Sequence, residues 1–183
     1  MAQTVQKTVA GKTAKAAAGT NKERSASGAS GNATNARLDH SGSHRFAVVL
    51  VRGLVDVSYG IKDTLAMLRL TRKNHCVVVA DTPITRGMLQ KVKDYATWGE
   101  ISEEMFKQLV LKRGMPYEGR LTDSGKKYSY KVLDVAGKAY KPYFRLNPPQ
   151  KGFGRKGIKT PFNRGGALGY RSDKMNDLIL RML

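Results

Sequence analysis

The chain has 183 residues and carries 33 Lys and Arg against 14 Asp and Glu, a formal net charge of +19 at neutral pH. A single cysteine excludes an intramolecular disulfide framework and a Cys-rich zinc site. No apolar run approaches the roughly 18 residues of a membrane span, so a soluble, intracellular protein is expected, without a membrane partner.

The charge is unevenly spread. Residues 1–45 hold seven Lys/Arg against two acids, 46–111 nine against seven, and 112–183 seventeen against five, giving +5, +2 and +12. A near-neutral middle between basic ends reads as a compact domain carrying extensions that touch a polyanion. Residues 138–171 hold nine cations and no acid.

Residues 1–44 are rich in Ala, Gly, Ser, Thr and Lys, with too few large apolar side chains to offset chain entropy, and read as a disordered basic tail. An organellar transit peptide shares this composition, but the tail is Lys-rich and has no apolar helical face. Residues 45–52 read as a strand whose continuous apolar run, Phe46 to Val51, suggests burial on both faces or a central place. Ser58 is the expected cap of a helix with Ile61, Leu65 and Leu68 inward. Residues 75–80 make a second strand. Thr82 and Pro83 open a second helix with Ile84, Met88, Val92 and Tyr95 as its stripe. Residues 96–101 complete a β-α-β-α-β series, for which periodicity alone suggests parallel crossovers.

Ser102 opens a third helix with Glu103 and Glu104 in its first turn and Gly114 past its end. Tyr128, Tyr130 and Val132 alternate as in a strand, and Ala136-Gly137-Lys138 suits a turn. Pro148-Pro149 blocks a helix. Ser172 is the expected cap of a last helix with Met175, Leu178, Ile179 and Met182 on one face.

His75 and Cys76 point to opposite faces of a strand and are not expected to share a metal. The three histidines and the scattered carboxylates form no recognisable catalytic arrangement. Gly152-Phe153-Gly154-Arg155-Lys156-Gly157 fits Gly-x-Gly-x-x-Gly, but no strand precedes it, Lys159-Thr160-Pro161 follows instead of a helix, and the first later acid is Asp173. Glycines that let backbone approach phosphates, beside Arg155, Lys156 and Lys159, explain the same residues better. Tyr140, Tyr143, Phe144, Phe153, Phe162 and Tyr170 interleave with the cations. Phe153, between glycines, is the best candidate to stack on a base, while Tyr143 and Phe144 are better suited to anchoring. With few aliphatic anchors and no acidic partner, residues 145–170 are expected to be mobile until phosphates bind.

Several motifs resemble a known family. Arg52-Gly53, Asp63-Thr64-Leu65 with Met67-Leu68, Asn74-His75-Cys76, Arg86-Gly87-Met88 with Lys91-Val92, and Trp98-Gly99-Glu100 occur in the order seen in the L-thirty family of large-subunit ribosomal proteins. Arg145-Leu146-Asn147-Pro148-Pro149, Gly165-Gly166-Ala167-Leu168-Gly169 and Asn176-Asp177-Leu178 are similar to its longer archaeal form, related to eukaryal L-seven. The match spans about residues 45–183, is poor over 117–140 and omits the tail.

The resemblance implies an α+β fold: a small ferredoxin-like β-α-β-α-β core with a three-stranded, mainly antiparallel sheet and helices on one face, plus a basic extended loop and a C-terminal helix. Expected boundaries are 1–44 for the tail, 45–101 for the core, 102–143 for a helix and variable segment, 144–171 for the RNA-binding loop and 172–183 for the last helix. It also implies a non-catalytic constituent of the large ribosomal subunit, with ribosomal RNA and neighbouring ribosomal proteins as partners and neither cofactor, metal nor small-molecule substrate. Arg52, Arg86 and Lys91 match family positions on the RNA-facing side. Arg69, Arg72, Lys73, Arg145, Lys151, Phe153, Arg155, Lys156, Lys159, Arg164 and Arg171 complete the expected contacts. The alternative is a general nucleic-acid compaction or ribosome-assembly protein that binds any polyanion.

Overall fold

The computed structural model describes residues 44–183, so the tail expected over 1–44 lies, apart from His44, outside the described residues. β1 (Arg45–Leu50) is buried at all six positions, which accounts for the unbroken apolar sequence that follows Arg45. Successive side chains of a strand alternate between faces. Phe46, Val48 and Leu50 therefore enter one core, and Ala47 and Val49 enter another.

β1 is central in a five-stranded sheet. β2 (His75–Ala80) and β3 (Ala96–Glu100) pair with it antiparallel on either side, placing Val48 opposite both Val77 and Trp98. The parallel crossover that periodicity alone suggests is absent from this part of the sheet. Two short strands extend the expected three to five: β6 (Phe144–Arg145) runs antiparallel to β2, and β7 (Gly169–Tyr170) runs parallel to β3. The order is β6-β2-β1-β3-β7, and the sheet is mixed.

α1 (Tyr59–Met67) and α2 (Pro83–Lys91) cover one face, where Leu65, Leu68, Leu89 and Val92 meet Phe46, Val48, Val77 and Trp98. The opposite face is covered by α3 (Glu103–Arg113) and α4 (Lys174–Leu180), through Phe106, Leu109, Val110, Met175, Leu178, Ile179 and Met182. The two core helices thus share one face, as expected, and α3 and α4 add cover to the second face, which the expectation had not assigned. A sheet whose central strand is apolar from Phe46 to Leu50, on both of its faces, must be covered twice.

The helix starts follow local chemistry in two cases. Thr82 Oγ1 accepts the Thr85 N–H at 3.1 Å with Pro83 at the first helical position. Ser102 Oγ accepts the Met105 N–H at 3.3 Å, beside Glu103 and Glu104. Ser58 occupies the cap position of α1 without a side-chain bond. The start of α4 differs from expectation: Asp173 takes the cap position, while Ser172, at φ +51°, turns the chain out of β7 and its carbonyl accepts the Met175 N–H at 3.1 Å. Ile84, expected in the stripe of α2, is 77% exposed, and Leu89 takes the buried position.

β4 (Leu133–Val135) and β5 (Lys138–Tyr140) form a hairpin through Ala136 and Gly137, both at positive φ, as the turn reading anticipated. Tyr128 and Tyr130 do not lie in a strand. They are exposed on a fold-back held by the Asp123 N–H to Tyr128 O at 2.9 Å and the Tyr130 N–H to Leu121 O at 3.0 Å.

Gly99 in β3 is where α4 comes closest to the sheet. A Cβ there would lie 2.3 Å from the Ser172 carbonyl oxygen and 2.8 Å from Met175 Cβ. Both obstacles are close to backbone and cannot swing aside. Gly99→Ala should therefore lower stability by about 1–3 kcal/mol, the usual cost of overpacking a filled site, read as a fall in the urea midpoint. Gly87→Ala, where nothing lies within 4 Å of the added methyl group, should leave the midpoint unchanged or raised.

Candidate nucleic-acid interface

β6 and β7 lie on opposite edges of the sheet, so residues 144–171 run from one edge to the other and are pinned at both ends. On the way the chain passes the C-terminus, where the Asn147 N–H donates to Met182 O and the Gln150 N–H to Arg181 O, each at 3.1 Å. It then closes on itself: Phe162 N–H to Leu168 O at 2.7 Å, Ala167 N–H to Thr160 O at 2.9 Å, and Lys156 N–H to Gly165 O at 3.2 Å. Phe144, Leu146, Ala167 and Leu168 are buried. The segment expected to lack anchors is thus built into the fold.

Its glycines serve this compaction. A Cβ on Gly166 would meet Thr160 O at 2.2 Å, and one on Gly154 would meet Gly166 O at 2.5 Å. Gly152 and Gly157 close tight turns at φ +74° and +83°. No helix opens after Gly157; a single 3-10 turn, Phe162–Arg164, comes five residues later. The Gly-x-Gly-x-x-Gly spacing is therefore a backbone-packing device here, without the strand and helix of a dinucleotide loop.

Arg171 departs from the expected role. It is 4% exposed, and its guanidinium donates to Thr97 Oγ1 at 2.8 Å and to the carbonyls of Phe153 and Ala167 at 2.9 Å each. It also lies 4.6 Å from the ring centroid of Phe162. Burial, and to a lesser degree the neighbouring Arg181, push its pKa down to about 10, which leaves it charged at neutral pH. Its contacts make it an internal tie instead of a phosphate ligand. Phe153 is half-buried against two core clusters, which makes it an anchor and not a free stacking platform.

The other expected contacts fall into separate groups. Lys151, Arg155, Lys156, Lys159 and Arg164 are exposed on the loop, and none forms an ion pair among the described residues. Arg69, Arg72 and Lys73 are exposed between α1 and β2. Arg145 pairs in register with His75 and lies 5.9 Å from the Tyr143 ring centroid, whose ring stacks on His75 at 5.2 Å. Arg52 is half-buried, donating to Asp94 O at 3.1 Å with its guanidinium over Tyr95. Lys91 is exposed at the end of α2. Arg86 is engaged: its Nε and Nη2 donate to the two oxygens of Asp81 at 2.6 and 2.5 Å, which lowers the pKa of the Asp81 carboxyl. Such a pair leaves Arg86 less available to a phosphate than the loop cations.

Two side chains were not expected in the interface. Lys174 and Arg181 of the last helical segment face the same pocket as Lys151, Arg155, Arg171 and Phe162, the last of which is among the aromatics that interleave with the cations. The signal was present in the spacing, since Lys174, Asp177 and Arg181 recur three and four residues apart on the side of α4 that its apolar stripe leaves free. Elsewhere the described residues include no group of three potential metal ligands and no helix long and apolar enough to cross a membrane. Cys76 is wholly buried, which drives its thiol pKa up to about 12 and makes it unreactive.

Comparison with known proteins agrees with this arrangement. Residues 46–96, spanning β1 to the first residue of β3, match the model of the ribosomal protein L30p/L7e family. The large ribosomal subunit protein uL30 of Nanoarchaeum equitans is 45% identical over 152 residues, covering 75% of this chain and 98% of that protein. The chain belongs to the L30p/L7e family of ribosomal proteins. Its uL30 relatives from Methanococcus maripaludis, 45% identical over 75% of this chain and 99% of theirs, and Methanopyrus kandleri, 43% identical over 73% and 100%, extend the likeness. Family membership therefore rests on nearly the whole length of these relatives and not on the matched core alone.

Two measurements test this account of the site. Arg171→Met removes a charge but strands three buried acceptors, so it should cost about 2–4 kcal/mol in urea unfolding. Arg155→Met and Lys159→Met, at exposed positions, should stay within about 0.5 kcal/mol of the parent. The second measurement concerns His75, whose pKa is lowered below the ordinary 6.5 by burial first, then by Arg145 and Arg72. The unfolded chain then takes up its proton at a higher pH than the folded one. Stability is thus fully present above pH 6.5 and falls as the pH drops below it, while His75→Gln should flatten that part of the profile.

Proposed function

We propose that this chain is a non-catalytic constituent of the large subunit of the cytoplasmic ribosome, binding and stabilising ribosomal RNA and meeting neighbouring ribosomal proteins. The observation that carries this reading is the likeness over almost the full length of relatives named large ribosomal subunit protein uL30. The geometry supports it independently. The loop holds Lys151, Arg155, Lys156, Lys159 and Arg164 outward on a backbone tied to the sheet, and these cations have no carboxylate partner among the described residues. Phosphates would supply the missing counter-charge, and contacts of this kind fix position more than sequence.

Within this reading, β1 to β3 with α1 and α2 form the family's ferredoxin-like core. β6, β7, α3 and α4 build onto it a second layer that carries the RNA-facing loop. Arg69, Arg72, Lys73 and Arg145 add a second group of phosphate contacts near the start of β2, and Lys91 one on α2. The basic N-terminal tail of residues 1–44 adds a further, separately acting charge.

A general polyanion binder is the competing reading, and sedimentation separates the two. A ribosomal constituent stays with the large subunit in moderate salt, whereas a general binder spreads over DNA and RNA. With about six phosphates engaged, log affinity for RNA should fall with log salt at a slope of roughly −4 to −5. Changing Arg155, Lys156 and Lys159 together to Gln should flatten that slope by up to about 3. An unchanged slope would remove the loop from the interface, and loss of subunit association in moderate salt by the parent chain would favour the competing reading.

A further inference from the structure

The 151–155 turn and the outer side of α4 enclose an open pocket of about 500 Å³. Its walls combine charge and aromatic surface in an uncommon way. Lys151, Arg155, Arg171, Lys174 and Arg181 line it against one carboxylate, Asp177, and the rings of Phe153 and Phe162 complete it.

These charges are not equivalent. Asp177 pairs with Arg181 at 3.2 Å, and Arg181 also donates to the carbonyls of Gly152 at 3.1 Å and Gln150 at 3.3 Å, so this pair holds the turn against α4. Arg171 is occupied by its three neutral acceptors. Lys151, Arg155 and Lys174 remain, all exposed and none in an ion pair among the described residues. Beside them the Phe162 ring is already a cation platform, with Arg171 at 4.6 Å and Lys174 Nζ at 5.7 Å from its centroid.

A pocket of this volume lies in the range of about 300–1,000 Å³ that takes a small organic ligand, and it is much larger than a bare phosphate needs. Cations beside an aromatic ring suit a group that is anionic at one end and flat and aromatic at the other. A base inside an A-form helix cannot enter, because it is stacked and its deep groove is closed to side chains. A base expelled from the stack can.

We propose that this pocket takes one unstacked nucleotide of a folded RNA, its phosphate between Lys151, Arg155 and Lys174 and its base against Phe162. This rests on the RNA-binding reading above and adds to it a site and a class of feature, a bulged or looped-out nucleotide in place of regular duplex. The rigid positioning of the turn by Arg181 makes the pocket a preformed one, so the nucleotide and not the protein must rearrange.

The test uses the full chain and two RNA hairpins with the same stem, one perfectly paired and one with a single bulged adenosine, titrated by fluorescence anisotropy at one salt concentration. The bulged RNA should bind about tenfold more tightly, within what one stacked base contributes. Phe162→Leu should remove that preference while leaving affinity for the paired RNA unchanged. Because Phe162 also contacts Arg171, Lys174→Glu serves as a second variant at an exposed position and should likewise bring the ratio close to one. Lys159→Ala with Arg164→Ala, outside the pocket, should weaken both RNAs and keep the ratio. Equal binding of both RNAs by the parent chain would overturn the pocket and leave the general RNA reading standing, whereas binding to neither would overturn both. Adenosine 5′-monophosphate binding as tightly as the bulged RNA would assign the pocket to a free nucleotide and overturn the RNA proposal.

Discussion

The guanidinium of Arg171 is the joint between the sheet and the basic loop of residues 144–171. Its three acceptors come from β3, from the turn at Phe153 and from the return of the loop at Ala167. Burying such a charge costs several kcal/mol in desolvation, and Asp177, which favours the charged form without forming an ion pair with it, offsets only part of that. An apolar residue of the same volume would avoid that cost but would leave the Phe153 and Ala167 carbonyls without this donor and Thr97 Oγ1 with only its own bond to the Gly169 carbonyl. Only a planar group with several fixed donors reaches three acceptors lying on different segments. The loop's path depends on this one side chain, so the position that resembles another RNA-facing cation in the sequence has an internal task.

The placement of acids completes the electrostatic design. Asp81 is taken by Arg86, Glu103 by Arg45, and Asp177 by Arg181, while Glu100 accepts from Tyr170. None of these carboxylates pairs with Lys151, Arg155, Lys156, Lys159 or Arg164. The isolated protein therefore keeps a concentration of like charge on a loop too well anchored to disperse it, and Arg181 adds to burial in lowering the proton affinity of Arg171. Phosphates brought to that surface relieve repulsion as well as adding attraction, so the gain on binding exceeds the sum of separate surface pairs.

Much of the fold was legible in the sequence where the signal is local and repeated. The apolar run of β1 announced burial on both faces. Thr82-Pro83 and Ser102 announced α2 and α3 through the orphan N–H groups they satisfy, and Ala136-Gly137-Lys138 announced a turn through its composition. β6 and β7 were not legible, because two residues carry no period and these strands exist through partners some seventy residues away. Ser172 was misread as a cap for a related reason: its backbone is used by the turn out of β7, so α4 starts one residue later. Strand direction also needed more than periodicity, and the resemblance to the family supplied it. The site was read at the level of composition, with the loop cations exposed as expected. Burial of Arg171, the anchoring role of Phe153 and the Asp81 partner of Arg86 depend on tertiary neighbours that single-residue chemistry cannot name.

A loop fixed before its partner arrives has a consequence for how it recognises RNA. Had residues 145–170 been mobile, ordering their backbone would cost roughly 1–2 kcal/mol per residue at the moment of binding. Pinned by β6, β7 and Arg171, the backbone is largely ordered on folding, and mainly long side chains remain to be immobilised. Their chemistry is divided. Lys151, Lys156 and Lys159 are flexible point charges that follow phosphates wherever the RNA backbone runs, whereas Arg155 and Arg164 present planar forks that reward particular phosphate geometry. A rigid frame makes that difference matter, because a fork on a fixed backbone cannot be re-aimed by moving the loop. On the proposed RNA-binding reading, tolerance of varied phosphate positions would reside in the lysines, and register on the RNA in the arginines and in the frame that aims them.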